Sequence, residues 1–163
     1  MRLALLLALT LASPLMAQER YLTLFVGSEH FGDDTLNNFN PGLGIGWRSD
    51  GPWGLEQAYE FGVFYNSYEE VAPIGIYSLS AEVARPSEDI SLRAGGFVGA
   101  AYYDALSEVL EDQYGLPNIG GVIPILGVSG ALRYRDTTDM RLTLVPPGAG
   151  VDAIVNLSLA RRF

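Results

Sequence analysis

The chain has 163 residues, a length that suits one domain, and its 19 Asp and Glu side chains outnumber 10 Lys and Arg, which gives a net charge of −9. Nucleic-acid binding needs clustered positive charge against phosphates, so this acidity argues against a nucleic-acid partner. The chain has no Cys and a single His. Disulfides and thiol chemistry are therefore excluded, a structural zinc site has no ligand set, and we expect no metal and no cofactor.

Residues 1–17 have the layout of a secretory signal peptide. Met1 and Arg2 form a short positive head, residues 3–12 are apolar apart from Thr10, and Ala17 is a small residue that suits cleavage. A membrane anchor is the alternative, but a spanning helix needs about 20 apolar residues and this run is much shorter. We therefore predict a signal peptide over 1–17 and an exported domain over 18–163.

Beyond the signal segment, apolar and polar residues alternate with a period of two, and no apolar run approaches the roughly 18 residues of a spanning helix. A bilayer admits only helices and closed barrels, because every backbone polar group must be paired there. Alternating segments separated by turn residues are typical of such barrels. The eight segments are residues 20–27, 42–48, 56–66, 74–83, 90–102, 122–135, 140–145 and 151–163. The sequence thus predicts an all-β fold, an eight-stranded antiparallel transmembrane β-barrel in an outer membrane.

The two faces of these segments differ in polarity. One face is apolar and carries aromatic residues near the segment ends, as in the girdle of a membrane barrel, namely Tyr21, Trp47, Tyr59, Tyr65, Tyr102 and Tyr134. The other face carries charges that need to pair inside the barrel, namely Glu60, Glu82, Arg93 and Arg133. The glycines of residues 42–46 leave open space on that inner face. A soluble antiparallel barrel or sandwich also alternates, and it is the alternative fold.

The last segment ends in Phe163, and alternate residues before it include Leu159, Leu157 and Val155. A terminal aromatic residue on an alternating strand resembles the recognition signal of outer-membrane barrels, so we expect the barrel-assembly machinery as a partner and a monomeric product. With an even strand number and both chain ends periplasmic, the outer loops are 28–41, 67–73, 103–121 and 146–150. The inner turns are 49–55, 84–89 and 136–139, and residues 104–112 are expected to form a short helix.

The sole His of the chain lies near a Ser in this predicted topology. His30 follows the first segment and Ser67 ends the third, at the same outer rim, and both segments neighbour the second. A His beside a Ser can act as the general base that turns the hydroxyl into a nucleophile. Such a pair also arises by chance in many proteins. Below the rim we expect an apolar pocket, lined in part by Ile123 and Ile125, with the Glu and Arg network beneath it.

Residues 64–77, Phe-Tyr-Asn-Ser-Tyr-Glu-Glu-Val-Ala-Pro-Ile-Gly-Ile-Tyr, resemble the region of the third and fourth strands in the PagP family of lipid A palmitoyltransferases. That family has an aromatic strand end there, then an Asp-Ser pair, an acidic loop, Pro-Ile and a Gly-Tyr strand. Shorter matches lie at residues 40–46, before this stretch, and at residues 123–126 and 144–148, after it, and the last strand also ends in Phe. The resemblance extends diffusely over about residues 37–163.

The resemblance implies an eight-stranded outer-membrane barrel that holds an acyl chain and moves it from a phospholipid to lipid A. Position by position, it implies catalytic roles for His30 and Ser67, and it places Asn66 where the family has the Asp that partners the His. An Asn cannot supply the negative charge that stabilises an imidazolium. The alternative function is therefore a non-catalytic barrel with a structural or adhesive role through its acidic outer loops.

Overall fold

The computed structural model describes residues 18–103, 106–148 and 151–163. Eight antiparallel strands pair in chain order, and the last closes onto the first to complete a barrel. They are β1 (Glu19–Phe31), β2 (Gly42–Asp50), β3 (Glu56–Tyr65), β4 (Val71–Ser87), β5 (Ile90–Tyr102), β6 (Val122–Tyr134), β7 (Thr138–Val145) and β8 (Ala153–Arg162). The predicted all-β, eight-stranded antiparallel barrel is confirmed. The predicted signal peptide over 1–17 lies outside the described residues.

Strand β3 shows how the barrel distributes polarity. Glu60 points into the lumen and is 4% exposed, whereas its neighbours Tyr59 and Phe61 point outward and are 44% and 58% exposed. A water-soluble protein keeps charges outside and large apolar side chains inside, so this order is reversed. The outward apolar surface continues around the wall at Leu22, Leu24, Leu43, Ile45, Val63, Val98, Leu126, Val128, Leu142, Leu144 and Leu159. A barrel wall that faces lipid carries such an apolar band.

Four strands are longer than the sequence pattern predicted, β2 and β7 by two residues each and β1 and β4 by more. β1 reaches Phe31 rather than residue 27, because after a bulge between Phe25 and Gly27 it continues to pair with β8 as far as Ala153. β4 covers Val71–Ser87 rather than 74–83. The helix expected at 104–112 is present as α1 (Leu106–Tyr114). Among the described residues, no helix has the length and apolar character to cross a bilayer.

Pro124 lies inside β6, although proline cannot donate to a strand ladder. It stands opposite Ala100 of β5, but the pairing of β6 with β7 begins only at Val128 and Leu144. The first part of β6 is therefore paired along one side only in the described ladders. An edge of this kind is where a strand tolerates proline, because the missing N–H faces no acceptor.

The inner face of β2 is not open, which corrects the expectation from its glycines. A Cβ at Gly46 would overlap the ring of Tyr21, and one at Gly62 of β3 would come within 2.8 Å of the Phe25 ring. The glycines thus make room for aromatic rings that lie across the strands. Tyr21, predicted in the outer girdle, is therefore buried in the lumen. The predicted outward position is confirmed for Tyr59, Tyr65, Tyr102 and Tyr134.

The charges in the lumen form two layers. In the middle layer, Arg141 Nη1 lies 2.8 Å from Glu60 Oε2, and the Thr23 hydroxyl donates to the same oxygen at 2.7 Å. In the layer nearer the chain termini, Arg133 Nη1 lies 2.7 Å from Glu56 Oε2, and its Nε lies 2.7 Å from Asp139 Oδ1. Each buried charge thus has an opposite partner, which offsets the cost of removing it from water.

The predicted pairing inside the barrel is confirmed for Glu60 and Arg133, and Arg93 Nε lies 3.6 Å from Glu56 Oε1. The prediction was wrong for Glu82. Its carboxylate lies 2.6 Å from Arg85 Nη2, and both side chains are solvent-exposed at the end of β4. Its partner Arg85 belongs to the part of β4 that extends beyond the predicted segment.

Candidate functional site

His30 and Ser67 meet at the barrel end opposite the chain termini. This end is here called the loop end, and its described residues are 32–41, 66–70, 103, 106–121, 146–148 and 151–152. His30 belongs to β1 rather than to a loop, and it is 4% exposed. Its Nε2 lies 2.7 Å from Ser67 Oγ, although the two residues are 37 positions apart. The predicted proximity is confirmed, while the catalytic roles of both residues stay a prediction.

His30 has a second polar partner that the sequence did not indicate. Its Nδ1 lies 2.7 Å from Asn38 Oδ1, and Asn38 Nδ2 donates to Glu29 Oε2 at 3.1 Å. A carboxylate only accepts hydrogen bonds, so the Asn38 amide turns its NH₂ to Glu29 and its oxygen to His30. An amide oxygen also only accepts. These partners therefore assign the proton to Nδ1 and leave the lone pair of Nε2 facing Ser67.

In this tautomer His30 can act as a general base toward Ser67. The Ser67 hydroxyl donates to Nε2, and the imidazole takes that proton when Oγ attacks an electrophilic carbon. Nucleophile, base and orienting group then have the arrangement of a catalytic triad, with the amide of Asn38 in place of a carboxylate. Among the described residues, no group of three or more His, Asp and Glu side chains is placed to hold a metal ion.

The segment before β2 holds the amides in place. Asn38 of this segment contacts His30, and the buried Asn40 approaches Ser67, with Nδ2 at 3.5 Å from Oγ. The segment is anchored on β1 and on the end of β3 by backbone hydrogen bonds from Ser28 N to Asn38 O (2.9 Å), Asn37 N to Ser67 O (3.1 Å) and Tyr65 N to Pro41 O (2.8 Å).

Asn66 makes no hydrogen bond to His30, which corrects the orienting role expected from the sequence. Its side-chain oxygen accepts the backbone N–H groups of Tyr68 and Glu70, both at 2.9 Å. These bonds close the turn 66–70 between β3 and β4, and thereby fix the position of Ser67 within that turn. The Asn66 side chain is buried, and its Nδ2 has no hydrogen-bond partner among the described residues. Asn66 thus supports the turn, and the position beside the imidazole belongs to Asn38.

Asn38 and Asn40 were not predicted as site residues, although the sequence around them is rich in Asn. Residues 37–40 read Asn-Asn-Phe-Asn and precede Pro41. Asn and Pro are the ordinary residues of turns, because an Asn side chain can replace backbone hydrogen bonds. A turn therefore explains these asparagines as well as a functional role does. Only the contact between Asn38 and His30 shows that they belong to the site.

A cavity of about 220 Å³ extends from His30 and Ser67 into the lumen. The charged layers form its floor, with Glu60, Arg141 and Arg133 among the lining residues. The predicted apolar pocket above a charged network is confirmed, although Ile125 lines it and Ile123 does not. The strand registers place its apolar lining in the half nearer the loop end, at Phe64, Ile74, Ile76, Phe97, Ile125, Val145 and Ile154.

The charged residues in the loops at the loop end are all acidic. Burial raises the pKa of the Tyr103 phenol to about 12, so this lining residue is neutral at physiological pH. Hydrogen bonds from the hydroxyl and the backbone N–H of Thr35 hold the pKa of Asp33 below its usual value, so Asp33 is charged. The loops at this end contain acidic residues and neither Lys nor Arg.

The fold and the site together define a class of protein. A closed eight-stranded antiparallel barrel with an apolar wall and a charged lumen is the architecture of small barrels of the outer-membrane type. Among solved structures, the chain is similar to the outer membrane protein Ail of Yersinia pestis, whose backbone structure was determined in a phospholipid bilayer nanodisc. The identity is 15%, the TM-score is 0.39, and the match covers 90% of this chain and 100% of that one. No family model and no curated protein matches the sequence.

Proposed function

We propose that this chain is an outer-membrane acyltransferase of the PagP type, which moves an acyl chain from a phospholipid to lipid A. The observation that carries the proposal is the 2.7 Å contact between His30 Nε2 and Ser67 Oγ at the mouth of an apolar-lined cavity. A nucleophile placed above a hydrocarbon pocket suits an ester whose acyl chain occupies that pocket.

The surface of the barrel supports a location in the outer membrane. Large apolar side chains cover the outside of the wall, and a continuous surface of this kind is unfavourable in water. In lipid it is the expected surface of a barrel. A signal peptide over 1–17 would deliver the chain across the inner membrane, and the loop end would then face outward, toward the leaflet that holds lipid A.

The reaction needs no co-reactant beyond the two lipids. Ser67 Oγ attacks the ester carbonyl of the phospholipid while its proton passes to His30 Nε2. The tetrahedral intermediate collapses, the ester C–O bond of the donor breaks, and His30 returns the proton to the leaving oxygen. The acyl chain is then an ester of Ser67. A lipid A hydroxyl attacks this ester and gives its proton to His30, and collapse frees Ser67, which recovers the proton.

Mass spectrometry of lipid A tests the proposal. Cells that make the wild-type protein should contain lipid A with an added acyl chain, and Ser67→Ala and His30→Ala should lower the transfer rate by about 10⁴-fold or more. Ser87→Ala is the matched control, because Ser87 is exposed at the far end of the barrel. If Ser67→Ala and His30→Ala transfer acyl chains at the wild-type rate, and if they assemble as well as the wild type and Ser87→Ala, the site assignment is wrong.

A non-catalytic barrel with a structural or adhesive role is the second candidate. The observation that favours it is the acidic loop end, where Asp33, Asp34 and Glu69 lie among loops without Lys or Arg. Such a surface attracts positively charged partners at low ionic strength. Cells that make the variant D33N/D34N/E69Q should then adhere less to a cationic surface than cells that make the wild type. In this case Ser67→Ala should leave the composition of lipid A unchanged.

A further inference from the structure

We infer that Asn40 is a catalytic residue of this site and donates a hydrogen bond to the oxyanion that forms when Ser67 attacks an ester. The inference rests on the proposed function and adds a third chemical group to the nucleophile and the base. Asn40 is 5% exposed, and its Nδ2 lies 3.5 Å from Ser67 Oγ. It thus touches the reacting atom itself.

The Asn40 amide is held in one orientation before any substrate arrives. Its Nδ2 donates to the backbone carbonyl of Asn37 at 3.1 Å, and its Oδ1 accepts the Ser28 hydroxyl. A carbonyl oxygen only accepts, so a flipped amide would bring two oxygens together. The N–H end therefore faces Ser67 permanently. A donor that is fixed in advance needs no reorganisation during the reaction.

The long contact to Ser67 suits a bond that forms only in the transition state. In the resting site the Ser67 hydroxyl donates to His30, and 3.5 Å is too long for a strong bond from Asn40 to a neutral hydroxyl. When the Oγ–C bond forms, the carbonyl π pair moves to the carbonyl oxygen, which shares its carbon with Oγ. A donor 3.5 Å from Oγ can contact that oxygen, and it then stabilises charge that the ground state lacks.

The same donor remains unchanged through the rest of the step. Collapse of the intermediate restores the C=O bond, breaks the C–O bond to the leaving alcohol, and draws the proton for that alcohol from His30. Asn40 keeps both of its N–H protons. Its contribution is therefore electrostatic, and its removal should lower kcat rather than weaken substrate binding.

Two substitutions separate this role from that of a loop brace. Asn40→Leu replaces both polar side-chain atoms by methyl groups and keeps the same branching. Asn40→Asp keeps the oxygen that accepts the Ser28 hydroxyl but removes both N–H groups and adds a charge that repels an oxyanion. A catalytic donor predicts that Asp is at least as harmful to kcat as Leu, whereas a brace predicts that Asp is the milder change. Asn118→Ala is the control, because Asn118 lies at the same end of the barrel, is not among the residues that line the cavity, and accepts the backbone N–H of Gly121 through its side chain.

The experiment uses the full chain in detergent micelles with a short-chain nitrophenyl ester, and it separates kcat from KM. Both Asn40 variants should lower kcat by about 10²–10³-fold, with KM changed by less than about threefold. They should also slow the labelling of Ser67 by a fluorophosphonate, and Asn118→Ala should change none of these values. The heat-modified gel mobility of each variant checks assembly, and Asn40→Asp decides alone if Asn40→Leu does not assemble.

Each outcome has one meaning. If Asn40→Leu has the kcat of Asn118→Ala, or if Asn40→Asp reacts faster than Asn40→Leu, the inference is wrong while the proposed function stands. If the wild-type protein hydrolyses the ester no faster than Ser67→Ala, the proposed function fails, and the inference fails with it.

Discussion

Amide side chains surround the reactive pair at the residue scale. Asn38 orients His30, Asn40 approaches Ser67, and Asn66 closes the turn that carries Ser67. An amide fixes a geometry and a tautomer as a carboxylate does. It adds no negative charge, so the imidazolium that forms when Ser67 loses its proton gains less stabilisation. Any activity of this site should therefore respond to the charge of its orienting group.

Asn38→Asp should raise the rate of ester cleavage, by about tenfold or more, because a carboxylate at this place stabilises the imidazolium. Glu29 lies 3.1 Å from the same side chain, so we expect the largest gain in the variant N38D/E29Q, which removes the repulsion between two carboxylates. Asn38→Ala should lower the rate. The measurement is kcat against pH in detergent micelles.

Asn66→Asp is the comparison for this prediction. The resemblance places the charged residue at this position, but the structure engages the Asn66 oxygen with two backbone N–H groups of the turn. An Asp accepts the same two bonds, so the turn should persist and the rate should change by less than about threefold. A rate gain in Asn66→Asp that is absent from Asn38→Asp would show that Asn38 is not the orienting partner.

At the scale of the strands, glycine decides where the aromatic rings lie. Tyr21 of β1 stands opposite Gly46 of β2, and its ring occupies the space that a side chain at Gly46 would need. From there the ring comes within 5.7 Å of the Arg141 guanidinium, in the middle charged layer. The pairing of Tyr21 with Gly46 therefore lets a side chain of the wall contact the charged network in the lumen.

Gly46→Ala should destabilise the barrel by about 1–3 kcal/mol, because the new Cβ overlaps the Tyr21 ring and forces it to move. The measurement is the urea midpoint of unfolding in detergent or lipid. Gly130→Ala is the control, since its Cβ would meet nothing nearer than the Arg93 carbonyl oxygen at 4.0 Å. The variant Y21L/G46A should recover part of the loss. Equal midpoints for the two glycine variants would contradict this account of Gly46.

At the scale of the whole molecule, charge and polarity are segregated along the barrel. Opposite charges pair in the lumen toward the chain termini, and the loop end has acidic residues without Lys or Arg. Around the wall, the outward side chains are apolar. The site therefore lies between an apolar pocket and an acidic rim.

Val98→Arg distinguishes a membrane barrel from a soluble one. Val98 is 57% exposed in the interior of β5, so a soluble barrel would tolerate arginine there, whereas lipid should make it costly by about 2–4 kcal/mol. Trp53→Arg is the control, because Trp53 is 86% exposed in the turn before β3. We expect the wild type and Trp53→Arg to fractionate with outer membranes and to change gel mobility on heating, and Val98→Arg to assemble poorly. Recovery of the wild type as a soluble periplasmic monomer would refute the location.

The barrel itself could be predicted from the sequence, because strand alternation is a local property with a period of two. Closure of eight strands then determines which strand ends are neighbours, and this was enough to predict that His30 and Ser67 lie close together. Alternation was insufficient for Tyr21, since both faces of β1 contain large apolar residues. Only the register opposite Gly46 decides that its ring lies in the lumen.

The separate roles of the three asparagines at the site were decided by tertiary structure alone. Asn38, Asn40 and Asn66 are the same residue type in polar segments, and each is suited to a turn. Their different roles come from backbone hydrogen bonds that fix residues 37–41 between β1 and the end of β3. The orientation of each amide then depends on acceptors contributed by distant parts of the chain, such as Glu29 for Asn38. A strand can be predicted from residues that are adjacent in the sequence. The hydrogen bonds of this site join residues that are distant in the sequence, so only the complete fold determines them.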